Sequence, residues 1–142
     1  MGFRTIVIFL LMAPLLVGTA ASAGQTAQVS DPRWDPATAV DMNVVVAEYR
    51  EVARGNPLSG AHLLVRLESA KENAETIDVY LGPAAFLKDF EVTFVRGDRV
   101  EILGSRVKYA GATVILARQV RRDSTTLYLR DDHGLPYWNG RT

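Results

Sequence analysis

The 142-residue chain has no cysteine. That excludes a disulfide scaffold, a zinc ribbon, a thiol nucleophile and covalently attached haem. It has no net charge either: 16 basic side chains balance 16 acidic ones. Bulk charge therefore excludes a strongly basic nucleic-acid binder and an acidic-tail protein. There is no Walker loop and no G-x-G-x-x-G, so nothing supports a nucleotide cofactor. There is no G-x-S-x-G, and the S-x-x-K spelled by Ser105-Arg106-Val107-Lys108 falls inside a β-run, where positions three apart point to opposite faces and the lysine does not meet the serine. What remains is 48% hydrophobic residues in one domain's length of chain, enough to bury a core without disulfides.

The first 23 residues read as a secretory signal. Arg4 supplies the positive start, Ile6 to Val17 the apolar run, and Ala21-Ser22-Ala23 the small residues that signal peptidase requires. Cleavage is expected before Gly24, with export to the periplasm or beyond. Pro14 and Gly18 interrupt the run, and a spanning helix needs about 20 apolar residues. Only Arg4 leaves with the signal, so 15 basic groups then face 16 acidic ones, a net charge of −1. No stable membrane span is expected after cleavage. Residues 24–40, with prolines at 32 and 36, read as a flexible lead-in in which Trp34 docks on the domain.

From residue 41 to 142 the pattern is β-rich runs between turn residues. Met42–Val52 carries three consecutive valines, which favour a strand, but its apolar face changes partway and so predicts a bulge. His62–Ser69 alternates, with Leu63, Val65 and Leu67 inward. Thr76–Leu81 does the same with Ile77, Val79 and Leu81. Pro83 then starts a short helix, Ala84–Phe90, with Phe86, Leu87 and Phe90 on one side. In Arg99–Tyr109 the parity flips at Gly104, marking a bend. Thr113–Val120 and Thr125–Arg130 follow, with turns at Ala110-Gly111 and Asp123-Ser124. The expected fold is all-β: a small OB-like antiparallel barrel of five to six strands, with one short helix between strands 3 and 4.

Two stretches carry a resemblance. Gly97-Asp98-Arg99-Val100-Glu101-Ile102-Leu103-Gly104-Ser105, with Val79-Tyr80-Leu81-Gly82-Pro83 before the helix, resembles small exported bacterial OB-fold proteins such as the BOF group of periplasmic stress proteins. The tail, Ile115-Leu116-Ala117-Arg118 through Thr126-Leu127-Tyr128-Leu129-Arg130-Asp131 to Gly134-Leu135-Pro136-Tyr137-Trp138, is similar to exported bacterial proteins related to the domain named after the magnetosome proteins MamS and MamX. The likeness covers roughly residues 42–138. It implies a fold and a compartment, and it brings no catalytic residue with it.

Candidate chemistry is sparse. His133 in Asp131-Asp132-His133-Gly134 has oxygen and imidazole donors beside it, but Asp and Gly are the residues tight turns select. No metal site and no cofactor is expected. Binding suits a small barrel better, on the face of its second and third strands. The residues expected outward there are His62, Leu64, Arg66, Asp78 and Tyr80, and Arg66 with Tyr80 is a pairing that stacks and hydrogen-bonds. Residues 99–122 hold six basic groups against Glu101 alone, while residues 41–98 hold ten acids against six bases. That basic hairpin makes Arg106, Arg118, Arg121 and Arg122 further ligand-binding candidates. The competing reading is an edge strand kept soluble by charge. The expectation is an exported, non-catalytic binding or interaction module of the periplasm or cell envelope. Its partner is an envelope protein or a small anionic ligand, not nucleic acid. The alternative is a metal- or redox-associated accessory protein of the MamS/MamX type.

Overall fold

A computed structural model describes Gly2 and residues 32–139. Apart from Gly2, the expected signal peptide and residues 24–31 lie outside the described residues. A single 3-10 turn at Pro36–Thr38 leads into strand β1 (Ala39–Val52), which starts inside the expected lead-in. Five strands follow: β2 (Gly60–Leu67), β3 (Ile77–Gly82), β4 (Arg99–Tyr109), β5 (Ala112–Arg122) and β6 (Thr125–Tyr128). Helix α1 (Ala84–Lys88) sits between β3 and β4, as the sequence predicts.

The strands close into a ring through β1. Its first half, Ala39–Val45, pairs with β4, and its second half, Val44–Val52, pairs with β2. A long strand shared in this way has to coil between its two partners. The valine run supplies the bend where its apolar face changes: the register with β2 shifts between Val46 and Glu48. β2 pairs with β3, β4 with β5, and a parallel seam from Asp78–Val114 to Tyr80–Leu116 joins β3 to β5. β6 extends the other part of β5, outside the ring. The result is ring-like without being a regular barrel, and its all-β character, strand number and helix position match the expectation.

Gly104 is the second corner. The β4–β5 register shifts between Leu103 and Gly104. A Cβ there would stand 2.5 Å from the Leu116 carbonyl oxygen and 2.8 Å from Ile115 Cγ2. Only glycine lets the two backbones approach this closely.

Inside the ring, Val44, Val46, Leu63, Val65, Val79, Leu81, Ile102, Ile115, Val120 and Leu129 are sealed from solvent. Phe86, Leu87 and Phe94 join them from α1 and the segment after it. Two inward expectations fail at element ends. Leu67 is 42% exposed where β2 stops, and Phe90 is 39% exposed because the helix ends at Lys88. Phe90 still meets Phe86 edge-on, with ring centres 4.9 Å apart.

A second apolar layer lies outside the ring. Leu58, Tyr80, Val114 and Leu116 are buried there, with Trp34, Val107, Tyr109 and Trp138 packed against them. The chain ends build it. Buried Ser105 accepts from the Asp35 amide at 3.0 Å and donates to the Asp35 carbonyl at 2.8 Å, and its hydroxyl also meets Thr38 Oγ1 at 3.0 Å. From the other end, Arg130 bridges to Pro136, and the Tyr137 amide donates to the Leu129 carbonyl. The two segments meet where the Trp34 ring lies flush on Gly134, with no room for a Cβ. Trp34 thus docks on the domain.

Candidate functional site

The β2–β3 face differs from the open surface expected of it. His62 and Tyr80 are buried, at 4% and 5% exposure. Strand parity assigns the side of the sheet correctly, but alternation cannot register that Leu58, Trp34 and Trp138 cover that side. Asp78, Leu64 and Arg66 remain half-buried. Arg66 Nε donates to the Ala74 carbonyl at 2.7 Å and so pins the β2–β3 turn.

His62 is held at both ring nitrogens. Nδ1 lies 2.7 Å from Asp78 Oδ1, and Nε2 lies 2.6 Å from the Leu58 carbonyl oxygen. Both partners are acceptors, so both nitrogens must donate, and a ring with two N–H groups is the imidazolium. Burial pulls the pKa down, and Arg50 adds to that pull. The Asp78 and Leu58 hydrogen bonds and the Asp78 charge push the other way, and the net shift is upward. In its protonated form His62 therefore ties β2, β3 and the Leu58 loop together through both ring nitrogens. It has no free edge with which to meet a ligand.

The basic hairpin is largely neutralised. Arg99 pairs with Glu68 at 3.2 Å, Arg118 with Asp132 at 2.9 Å, Arg121 with Glu101 at 3.0 Å and Arg122 with Asp98 at 3.0 Å. Glu68 and Asp98 come from the acidic stretch at 41–98, Glu101 from β4 itself and Asp132 from beyond β6, so charges segregated along the chain are mixed in space. Arg118, Arg121 and Arg122 are thus engaged with carboxylates. Arg106 alone of the hairpin candidates is exposed with no partner among the described residues.

Free positive charge gathers elsewhere. A cleft of about 650 Å³ opens beside the β1 bulge, between the end of β2, the β2–β3 turn and the turn before β4. Arg66, Lys71, Arg96 and Arg99 line it against Glu68 and Glu72. The side chains of Lys71 and Arg96 are exposed and unpaired among the described residues.

Arg130 is a functional candidate that strand reading overlooks. Its guanidinium is buried at 8% exposure, 4.9 Å over the Trp138 ring. Nη1 donates to the Gly134 carbonyl at 3.0 Å, and Nε is buried with no acceptor. Burial lowers its pKa while Tyr80 works against that drop. Burial likewise raises the Tyr80 pKa, and Arg130 opposes the rise. Arg130 follows inward Leu129, so parity marks it as a solvent-facing arginine. The only sequence signal of its burial is the tryptophan eight residues later.

The Asp131–Gly134 segment is a turn. Asp131 Oδ1 accepts from the amides of His133 and Leu135, and the Gly134 amide donates to the Asp131 carbonyl. Among the described residues, no three His, Asp or Glu side chains stand together as a metal cage. No helix among them is long and apolar enough to cross a membrane.

In comparison with known proteins, the model of the MamS/MamX magnetosome protein family matches residues 41–127. No curated protein and no solved structure matches the chain. The BOF likeness is compatible with the all-β ring and has no further support.

Proposed function

The chain belongs to the MamS/MamX magnetosome protein family, and from that premise we propose that it is an exported, non-catalytic interaction module of the magnetosome. Its partner is a protein with an acidic surface, which docks at the cationic cleft beside the β1 bulge.

The observation that carries this reading is the pair of unpaired cations there. Lys71 and Arg96 face the same cleft with Arg66 and Arg99 behind them, while the arginines at 118, 121 and 122 are already matched to carboxylates. Unpaired surface cations at a concave site steer an anionic partner and fix its register. The packed interior has no part in this, since its residues are hydrocarbon. The address is the periplasm or beyond, with Gly24 as the first residue of the processed chain.

The test is capture from magnetosome-membrane extract on immobilised protein. The Lys71→Glu, Arg96→Glu double variant should lose the partner that the unmodified chain retains, and raising salt should release it. The Arg121→Glu variant should keep it. Equal recovery on the double variant would remove the cleft from consideration. Amino-terminal sequencing of the native protein checks the address: a chain beginning at Met1 would refute export by signal cleavage.

A further inference from the structure

We propose that the aromatic cleft around Arg130 is a second binding site, separate from the cationic cleft, and that it takes a small oxoanion, a carboxylate or a phosphate, on the Nε–Nη2 edge of the guanidinium.

The cleft holds about 480 Å³ and lies between the lead-in and the C-terminal turn. Trp34, Tyr80 and Trp138 form its aromatic walls, Arg33 and Arg130 are its two cations, and His133 is a polar member. Three features of Arg130 give it a ligand-binding form. Its charge is buried, yet no carboxylate pairs with it among the described residues. The two acids that follow it in sequence are occupied: Asp131 caps its own turn, and Asp132 holds Arg118. Its remaining bonding capacity also lies on one side. The face of the guanidinium stacks on Trp138 and Nη1 is spent on Gly134. The side left over, Nε with Nη2, is the fork that donates in parallel to two oxygens of a carboxylate or phosphate.

A buried donor without an acceptor costs about 1–3 kcal/mol, and a buried unpaired cation costs more. Among the described residues the fold bears this cost at one place, beside a cleft. An oxoanion entering there supplies the missing acceptor and the missing charge together. The Trp138 ring stacked on the guanidinium shields one of its faces from solvent and strengthens that pairing. Tyr80 does not compete for the anion, because its hydroxyl donates to the Ser59 carbonyl at 3.0 Å.

Both tryptophans of the chain, Trp34 and Trp138, wall this cleft, so intrinsic fluorescence reports the site without a label. The processed chain is titrated with inorganic phosphate in one arm and acetate in the other, at constant ionic strength in chloride. A saturable change in tryptophan emission is expected in at least one arm, and the arm that responds identifies the class of anion. Arg130→Gln should weaken binding at least tenfold. Arg130→Lys should also weaken it, because an ammonium keeps the charge but lacks the fork. Arg106→Gln and the Lys71→Glu, Arg96→Glu double variant should titrate like the unmodified chain, which keeps this site's fate distinct from that of the proposed docking cleft.

Thermal unfolding separates binding from a structural role. The responding anion should raise the melting temperature of the unmodified chain by mass action and leave that of Arg130→Gln unmoved. Without anion, Arg130→Gln should melt at or above the unmodified chain, since it removes an uncompensated charge. Saturation in neither arm, or an Arg130→Gln titration like the unmodified one, would overturn the proposal. So would a variant that melts well below the unmodified chain while the latter shows no response to either anion.

Discussion

Gly104→Ala tests the geometry on which ring closure depends. The backbone at Gly104 lies outside the left-handed region, so alanine meets no conformational penalty there and the cost is steric alone. The added methyl would sit 2.5 Å from the Leu116 carbonyl oxygen and 2.8 Å from Ile115 Cγ2. Ile115 is fully buried, and Leu116 is held in the parallel seam with Tyr80. Neither neighbour can swing away, so β4 and β5 must separate where the register shifts. Overpacking of a tight interior costs about 1–3 kcal/mol. Backbone on one side and a sealed side chain on the other put this case at the upper end, about 3 kcal/mol. For a domain of this size, that lowers the melting temperature by roughly 10 °C. Urea denaturation with an unchanged m-value is the assay. A loss below about 0.5 kcal/mol would show that β4 has slack at Gly104 and that the ring does not close by this contact.

The remaining predictions concern the tie at His62, the anchored lead-in and the hairpin charges. Because the folded pKa of His62 is raised above the ordinary 6.5, its contribution is whole below pH 6.5 and is lost as pH rises through the folded value. The melting temperature should therefore fall on the alkaline side of 6.5, and a His62→Gln variant should remove that slope; an unmodified chain that is flat over this window would contradict the imidazolium. Ser105→Ala deletes the hydroxyl that meets Asp35 and Thr38 and should cost about 1–2 kcal/mol, with residues 32–38 becoming the first site of limited proteolysis. Leu63→Ala, in the fully sealed interior, should cost about 2–5 kcal/mol in urea. Arg121→Gln breaks a pair whose arginine is 52% exposed and should change stability by less than about 1 kcal/mol, as exposed pairs do.

The parts of the fold that local chemistry decides are legible in the chain. The changed apolar face across Val44–Val46 marks the β1 bulge, and the parity flip at Gly104 marks the β4 bend. Pro83 after Gly82 places the helix start. The positive φ angles at Ala110 and Gly111 make the tight turn that joins β4 to β5. The parts that depend on what a strand meets are not legible. Alternation assigns Tyr80 to the outer side of β3, but no pattern in β3 reveals that Trp34 and Trp138, more than forty residues away on either side, will cover it. Likewise the run of arginines at 118, 121 and 122 looks like a patch until the register brings Glu101 opposite Arg121.

The same covering decides where a binding site can lie. A closed ring packed with hydrocarbon offers no interior, so any ligand must use the outside. Much of that outside on β3 and β5 is occupied by the chain's own ends, held by Ser105 on one side and by the Leu129–Tyr137 bond on the other. Those ends do not cover every part of it. They leave a cleft, and at its edge stands a guanidinium whose charge no carboxylate among the described residues answers. A cover evolved only to hide apolar surface would place a leucine or methionine at 130, since either fills the space without a desolvated charge. Arginine there is costly to stability, and natural chains tolerate such costs where activity needs them. The second layer is in this sense both the reason the open β2–β3 face is absent and the structure that shapes the site replacing it.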